Sequence, residues 1–110
     1  MNIKEAATAL KAKILVQGNT GDKTIGRVVA SDLMSDVLLV DEDNMLLLTS
    51  LASDQVLRTA QIVGALAVVV VNGKTLPSSM AEVAAELGMT LMTSPLSKYD
   101  ACVELYKIQG

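Results

Sequence analysis

Apolar positions along the chain follow two patterns, one with helical spacing and one made of short continuous runs. Between Ile3 and Leu10 the apolar residues stand at i, i+3, i+4 and i+7, which predicts an amphipathic first helix ending near Lys11. Asn2 precedes this stretch and Glu5 follows three positions later, the arrangement of a capping box. The chain is therefore predicted to begin with a capped helix.

Two later stretches combine the same spacing with residues that favour helix ends. Ser53 is the predicted N-cap of a helix that ends before Gly64. Ser79 and Glu82 form a predicted capping box for a further helix, and Gly88 stands where a helix C-cap requires a positive φ.

Two more helices are predicted, one brief and one terminal. The brief helix runs from Asp32 to Leu39, with Ser31 or Asp32 as its cap and with Leu33 and Val37 facing the core. Met34 is a further candidate for that inward face. The terminal helix starts at Ser97 with Asp100 three positions on, and one apolar side of it is predicted to be buried: Tyr99, Cys102, Val103 and Tyr106.

Short continuous apolar runs predict the strands. Met45 to Thr49 and Leu66 to Val71 are apolar at nearly every position, as in parallel strands that are covered on both faces. Shorter strands are predicted at 13–17, 25–30 and 90–92. Because strands alternate with helices, the sequence predicts an α/β fold: a single-domain parallel sheet with helices on both faces.

Polar residues that follow parallel strands share the carboxyl edge of the sheet, and ligands bind there where the strand order reverses. The residues placed at this edge are Asp32, Thr49, Ser50, Asn72, Thr93 and Ser94. Asp54 and Arg58 follow one of these strand ends, and the guanidinium of Arg58 could hold a phosphate or carboxylate. The competing interpretation, which we favour, is that Asp54 and Arg58 only stabilise their helix.

Two other sets of residues suggest ligand sites and are weaker. The segment from Gly18 to Thr24 superficially matches a phosphate-binding loop, but Asp22 stands where a glycine should precede Lys23, so a β-turn is predicted. Asp32 and Asp36 lie one helical turn apart, but helix capping and solvation explain them better than a divalent cation does. No metal site and no cofactor are predicted.

Composition narrows the classes of function. The chain has 110 residues, a formal charge of -3, one cysteine and no histidine, Phe or Trp. The lack of histidine removes the usual general base and the commonest metal ligand, so an enzyme is not expected. No signal-like amino end, no cluster of basic residues and no apolar run of about 20 residues is present. We therefore expect a cytoplasmic protein that binds neither membrane nor nucleic acid.

Four stretches stand out together within residues 26–108: GRVVASDLMSDV at 26–37, the junction LTS at 48–50 into Asp54, AVVVVNG at 67–73, and LGMTLMTS at 87–94 followed by Ser97. Through these stretches, residues 26–108 resemble the DRTGG domain family. Residues 1–110 are accordingly interpreted as one DRTGG-like domain, in which 1–25 supply an additional helix, strand and turn. The tract that gives the family its name is not intact, because Ser53 to Ala60 contain no Asp-Arg-Thr-Gly-Gly run.

The resemblance implies a compact α/β domain like the amino-terminal domain of HPr kinase. Such domains occur beside CBS domains, in phosphotransacetylases, and as small proteins near iron-hydrogenase and sensor-kinase genes. Their activity is not established, and they look like regulatory and dimerising modules.

Two functions are weighed on this basis. The first is a non-catalytic regulatory module that forms a homodimer or binds a protein partner. The alternative is a sensor of a nucleotide or other small anion at the carboxyl edge of the sheet, through Ser50, Asp54, Arg58, Asn72, Thr93 and Ser94. A kinase or acyltransferase is disfavoured, because no base, metal set or intact phosphate loop is present.

Overall fold

A computed structural model of the chain describes residues 1–19 and 22–109. They form a five-stranded sheet flanked by helices. The helices are α1 (Ile3–Ala9), α2 (Met34–Val37), α3 (Asp54–Ile62), α4 (Ser78–Leu87) and α5 (Lys98–Gln109). The strands are β1 (Lys13–Val16), β2 (Arg27–Ala30), β3 (Met45–Thr49), β4 (Ala67–Val70) and β5 (Thr90–Thr93).

The strand order is β1-β5-β4-β3-β2. Strands β2 to β5 are mutually parallel, as predicted, whereas β1 is antiparallel to β5. The predicted α/β domain with helices on both faces is confirmed, and the prediction of a wholly parallel sheet is corrected at β1. The physical reason is that strand–helix–strand crossovers make β2 to β5 parallel, whereas β1 precedes these units and adds to the free edge of β5, at the opposite side of the sheet from β2.

The helices divide three to two between the faces of the sheet. Strands β2 to β5 lie side by side in chain order, so successive right-handed crossovers place α2, α3 and α4 on one face. Helices α1 and α5 cover the other face. Strand order does not reverse within β2 to β5, so the crevice expected at such a reversal is absent from the parallel part of the sheet.

The core is aliphatic, and it forms two layers. Side chains of β3 and β4 alternate between the layers: Leu47 and Val68 pack beneath α3 and α4, while Leu46 and Val69 pack beneath α1 and α5. Every residue of both strands is buried. This explains why Thr49, at the end of β3, is the one polar residue of the two strands.

Several predicted helix ends are confirmed. Asn2 and Glu5 form the reciprocal capping box, with the Glu5 N–H donating to Asn2 Oδ1 at 2.8 Å. Gly88 takes a φ of 66° at the C-cap of α4. The N–H of Asp100 donates to Ser97 Oγ at 3.1 Å at the start of α5.

Other predicted caps are corrected. Helix α4 begins at Ser78 with Pro77 at the N-cap position, so Ser79 lies inside the helix, where its hydroxyl donates to Asp54 on α3 at 3.1 Å. Ser53 takes the N-cap position of α3 as predicted, but its side chain forms no cap hydrogen bond. Leu33, not Ser31 or Asp32, is the N-cap residue of α2, and its side chain is 57% exposed instead of buried.

Helix α5 buries a different side from the one predicted. Ala101 and Leu105 pack against the sheet, whereas Tyr99 and Tyr106 are 77% and 79% exposed. The helix carries two apolar stripes, and the small Ala101 lets the helix approach the sheet closely. Cys102, expected to be buried, is half-buried.

The segment after β1 makes a close backbone approach at Gly18. A Cβ on Gly18 would lie 2.3 Å from the carbonyl oxygen of Gly88, so only glycine fits. The Gly18 N–H donates to Thr90 Oγ1 at 2.9 Å. Thr20 and Gly21, within the predicted turn, lie outside the described residues. Within the described residues, no helix has both the length and the apolar character needed to cross a membrane.

Candidate functional site

The carboxyl ends of the parallel strands bring together five polar residues that are distant in sequence. Asp32 follows β2, Thr49 and Ser50 end β3, Lys74 follows β4, and Lys98 opens α5 after β5. We call these five residues the carboxyl-edge cluster. Three of them, Asp32, Thr49 and Ser50, were expected at this edge.

Asp32 is the acceptor at the centre of the cluster. Its Oδ1 accepts from Thr49 Oγ1 at 2.9 Å and from the Ser50 N–H at 2.7 Å, while its Oδ2 accepts from the Ser50 hydroxyl. Lys98 Nζ lies 2.7 Å from the same Oδ2 and forms an ion pair with it. Lys74 Nζ donates to the Ser50 carbonyl oxygen. The cluster therefore carries two lysines against one carboxylate.

These contacts fix the charge of Asp32. Partial burial raises the pKa of its carboxyl, but hydrogen bonds from Lys98, from the N–H and hydroxyl of Ser50, and from Thr49 lower it. The donors outweigh the burial, and the pKa of Asp32 lies well below its ordinary value. Asp32 is thus an anion throughout the neutral range and acts as an organising acceptor.

The alternative of a cation held by Asp32 and Asp36 finds no support in the geometry. Asp32 is occupied by four donors, and Asp36 lies exposed on α2. Within residues 1–19 and 22–109, no group of three or more acidic or cysteine side chains could hold a metal ion.

Asp54 and Arg58 are placed on α3, at the same end of the sheet. Asp54 accepts from the Ser79 hydroxyl and so links the first turns of α3 and α4. Among the described residues no ion pair joins Asp54 to Arg58, which is exposed. The pairing assumed by the helix-stabilisation interpretation is therefore not formed, and the guanidinium is left accessible to solvent.

The remaining predicted site residues differ in accessibility. Asn72 is exposed in a left-handed conformation with a φ of 71°, and its N–H donates to the Leu96 carbonyl at 2.8 Å. Thr93 is half-buried at the end of β5. Ser94 is 1% exposed, and its hydroxyl donates to the Leu10 carbonyl oxygen at 2.7 Å. The fold therefore uses Ser94 internally and leaves Asn72 and Thr93 accessible.

A groove of about 380 Å³ lies next to the carboxyl-edge cluster, between β1 and the start of α4. Lys13 and Leu15 of β1, Thr93 of β5, residues 74–78 and Ala81 form its walls. We call it the β1–α4 groove. Lys74 belongs both to the groove and to the cluster. Sequence reasoning missed Lys13, because only the antiparallel pairing of Lys13 with Thr93 brings it to this edge.

Comparison with known proteins identifies a likeness of fold. No family model and no curated protein matches the chain. One similar solved structure comprises the CBS and DRTGG domains of the regulatory region of Clostridium perfringens pyrophosphatase, complexed with its activator diadenosine tetraphosphate. The TM-score is 0.70 at 16% sequence identity, over 94% of this chain and 45% of that chain. The chain thus has the fold of part of a regulatory region and spans less than half of that structure's length. The likeness agrees with the DRTGG resemblance at the level of the fold.

The depressed pKa of Asp32 predicts an acid-dependent contribution to stability. A folded-state pKa below the unfolded value of about 3.9 stabilises the fold above that pH, and the contribution is lost as the pH falls through the folded value. We expect Asp32→Asn to lower the free energy of unfolding by about 1 kcal/mol at pH 7, after discounting for partial exposure. The difference from the wild type should shrink below about pH 4, measured by urea denaturation at pH 7, 5 and 3.

Asp41→Asn is the control, because it removes the same charge from an exposed loop. At pH 7 it should leave the free energy of unfolding within about 0.5 kcal/mol of the wild type. A loss for Asp32→Asn that stays constant down to pH 3, or that equals the loss for Asp41→Asn, would contradict the role given to Asp32.

Proposed function

We propose that this chain is a non-catalytic regulatory module that works as a homodimer. The observation that carries the proposal is an apolar stripe on α5, made of the exposed Tyr99, Val103 and Tyr106 and the half-buried Cys102. We call it the α5 stripe. It has the i, i+3, i+4, i+7 spacing of a helix face that is built to be covered, yet nothing in the described chain covers its tyrosines.

The size and composition of the α5 stripe suit the centre of a protein interface. Tyr99 and Tyr106, at 77% and 79% exposed, together offer roughly 300 Å² of burial. Tyrosine is enriched at the centres of interfaces, because it combines a large apolar body with a hydroxyl that can stay wet. A standard interface buries about 800 Å² on each partner, so polar neighbours would supply the rim.

The α5 stripe is complementary to a second copy of itself. Its four residues are symmetric about the midpoint between Cys102 and Val103, so two antiparallel α5 helices related by a twofold axis would place Tyr99 against the partner's Tyr106. The lysines that flank the stripe are already neutralised: Lys98 pairs with Asp32, and Lys107 pairs with Glu104 at 3.3 Å. Bringing the two helices together would therefore bury no unpaired charge from those lysines.

A regulatory role is supported by the likeness of the fold to part of a pyrophosphatase regulatory region. The residue chemistry of the chain also argues against catalysis, because the chain has no histidine. Its best-organised carboxylate, Asp32, is occupied by four hydrogen-bond donors. With nine basic residues against twelve acidic ones, the chain does not suit a nucleic-acid partner. We place its action in the cytoplasm, since its single cysteine cannot form an internal disulfide.

Sedimentation equilibrium at micromolar concentration tests the homodimer. The wild type is expected at twice the chain mass of 11.6 kDa. Tyr106→Glu should weaken self-association by about 30-fold or more, because it replaces a central aromatic contact with a charge that would have to be buried.

Leu39→Glu is the matched control, because Leu39 is 81% exposed and follows α2, away from α5. It should leave the dimer intact. A monomeric wild type would refute the homodimer. Dissociation by Leu39→Glu but not by Tyr106→Glu would move the interface away from the α5 stripe.

A second candidate function, a sensor of a small anion, is favoured by the groups at the carboxyl edge. Lys74 and Lys98 outnumber Asp32 there, and Arg58 is free of any described ion pair. The regulatory region of the pyrophosphatase with this fold binds diadenosine tetraphosphate, a polyphosphate activator. A sensor and a homodimer are compatible, since ligand binding is a common way to control an assembled module.

A thermal-shift screen against nucleotides, dinucleotides and small phosphorylated metabolites tests this candidate. Binding to the native state should stabilise the protein by about 2.7 kcal/mol at a hundred times Kd. Arg58→Ala and Asn72→Ala should reduce the shift if those residues contact the ligand, while Arg27→Ala at the opposite end of β2 serves as the control. Unchanged melting with every compound would rule the sensor out and leave the homodimer untouched.

A further inference from the structure

We propose that the β1–α4 groove binds a phosphate group carried on a small apolar body, such as that of a nucleoside monophosphate. The proposal rests on the sensor function and deepens it, because it names the site and the class of ligand. It also moves the binding centre from the predicted Arg58 and Asn72 to a pair of lysines, Lys13 on β1 and Lys74 on the β4–α4 loop.

The charges that line the groove are of one sign. Lys13 and Lys74 stand on its walls, and no acidic residue lines it, although the chain as a whole is acidic. Among the described residues Lys13 forms no ion pair. Lys74 donates one hydrogen bond to the Ser50 carbonyl, and an ammonium has three donors, so it retains two. Two cations close to one cavity without a carboxylate favour a bound anion.

The fold holds the two lysines at this position from opposite sides. Lys13 is fixed by its pairing with Thr93 in the sheet, and Lys74 is tied to the end of β3 through Ser50. Thr93 adds a hydroxyl to the wall between them. The backbone positions of both lysines and the ammonium of Lys74 are therefore set before an anion binds, which lowers the entropic cost of binding.

The start of α4 supplies further donors. Pro77 is the N-cap residue and has no side-chain acceptor, and α4 lacks a side-chain cap hydrogen bond. Ser78, the first residue of this ten-residue helix, lines the groove. The hydroxyl of Ser78 and the positive end of α4 both favour a phosphate placed between Lys13 and Lys74.

The apolar part of the groove wall indicates what kind of group the phosphate would be attached to. Leu15, Leu76, Pro77 and Ala81 give the groove an apolar wall. A free phosphate ion would leave that wall in water, whereas a base or acyl group on the phosphate would cover it. The volume of about 380 Å³ is near the lower end of the 300–1,000 Å³ range of small-molecule sites, which suits a mononucleotide better than a dinucleotide polyphosphate.

Isothermal titration of the full chain with AMP, inorganic phosphate and adenosine at constant ionic strength tests the proposal. AMP should bind more tightly than either part alone. Lys13→Gln and Lys74→Gln should each weaken AMP binding by about tenfold, the loss expected for one charge-assisted hydrogen bond. Arg27→Gln, which removes the same charge from the first residue of β2 at the opposite edge of the sheet, should change it by less than about twofold.

Ala81→Leu provides a test that leaves the charge unchanged. It should weaken AMP binding by filling the apolar wall, and circular dichroism should show an intact fold, because leucine is well accepted in a helix. Equal affinity for AMP and inorganic phosphate would overturn the role of that wall. AMP binding that is unaffected by Lys13→Gln and Lys74→Gln together would overturn the groove as the site.

The binding experiments distinguish two outcomes: the groove is not the site, or the chain is not a sensor at all. Nucleotide binding that is lost in Arg58→Ala or Asn72→Ala, but kept when both groove lysines are replaced, would support the sensor and reject the groove. The absence of binding by any phosphate compound would reject both.

Discussion

Strands β3 and β4, in the interior of the five-stranded sheet, have no exposed side, so both of their faces must be covered by helices. Every residue of β3 and β4 is buried. Right-handed crossovers put α2, α3 and α4 on one face, which leaves only α1 and α5 to cover the other. Helix α5 packs on this face through Ala101 and Leu105, and its tyrosines therefore face solvent. The surface that we assign to dimerisation is thus a consequence of how the core is closed.

The same parallel arrangement explains the polar end of the molecule. Four strands end at one edge, and the residues after them meet around the carboxylate of Asp32. Lys98 joins this cluster from the first residue of α5, so the contact that neutralises Asp32 also fixes the start of the helix that carries the tyrosines. Lys74 extends the cluster into the β1–α4 groove. The groove lies on the α4 side of the sheet and the α5 stripe on the α5 side, so occupying one surface does not block the other.

Local patterns were sufficient to predict much of this fold from the sequence. The run Met45 to Thr49 gave β3 with the correct bounds, and the capping box of Asn2 and Glu5 and the C-cap at Gly88 formed as predicted. The long-range features were not predictable in this way. Asp32 and Lys98 are 66 residues apart, and no local pattern connects them.

Two errors have the same physical origin. The α5 stripe and the side of α5 that carries Ala101 and Leu105 both have helical spacing. Only packing against the sheet determines which of the two sides is buried. Lys13 reaches the carboxyl edge only because β1 is antiparallel to β5, which is a property of the assembled sheet and not of the strand itself. Sequence patterns thus predicted the elements and most of the residues at the strand ends, while the choice of exposed helix face and of the groove lysines required the assembled sheet.

Cross-linking through Cys102 tests the central claim most directly. Cys102 is the single cysteine of the chain and lies in the α5 stripe, next to the proposed twofold axis, so any thiol cross-link must join two copies. A short bis-maleimide should give a covalent dimer in the wild type at micromolar concentration, and Tyr106→Glu should abolish it. A protein that is dimeric in solution but gives no Cys102 cross-link, or one that stays monomeric, would contradict the account.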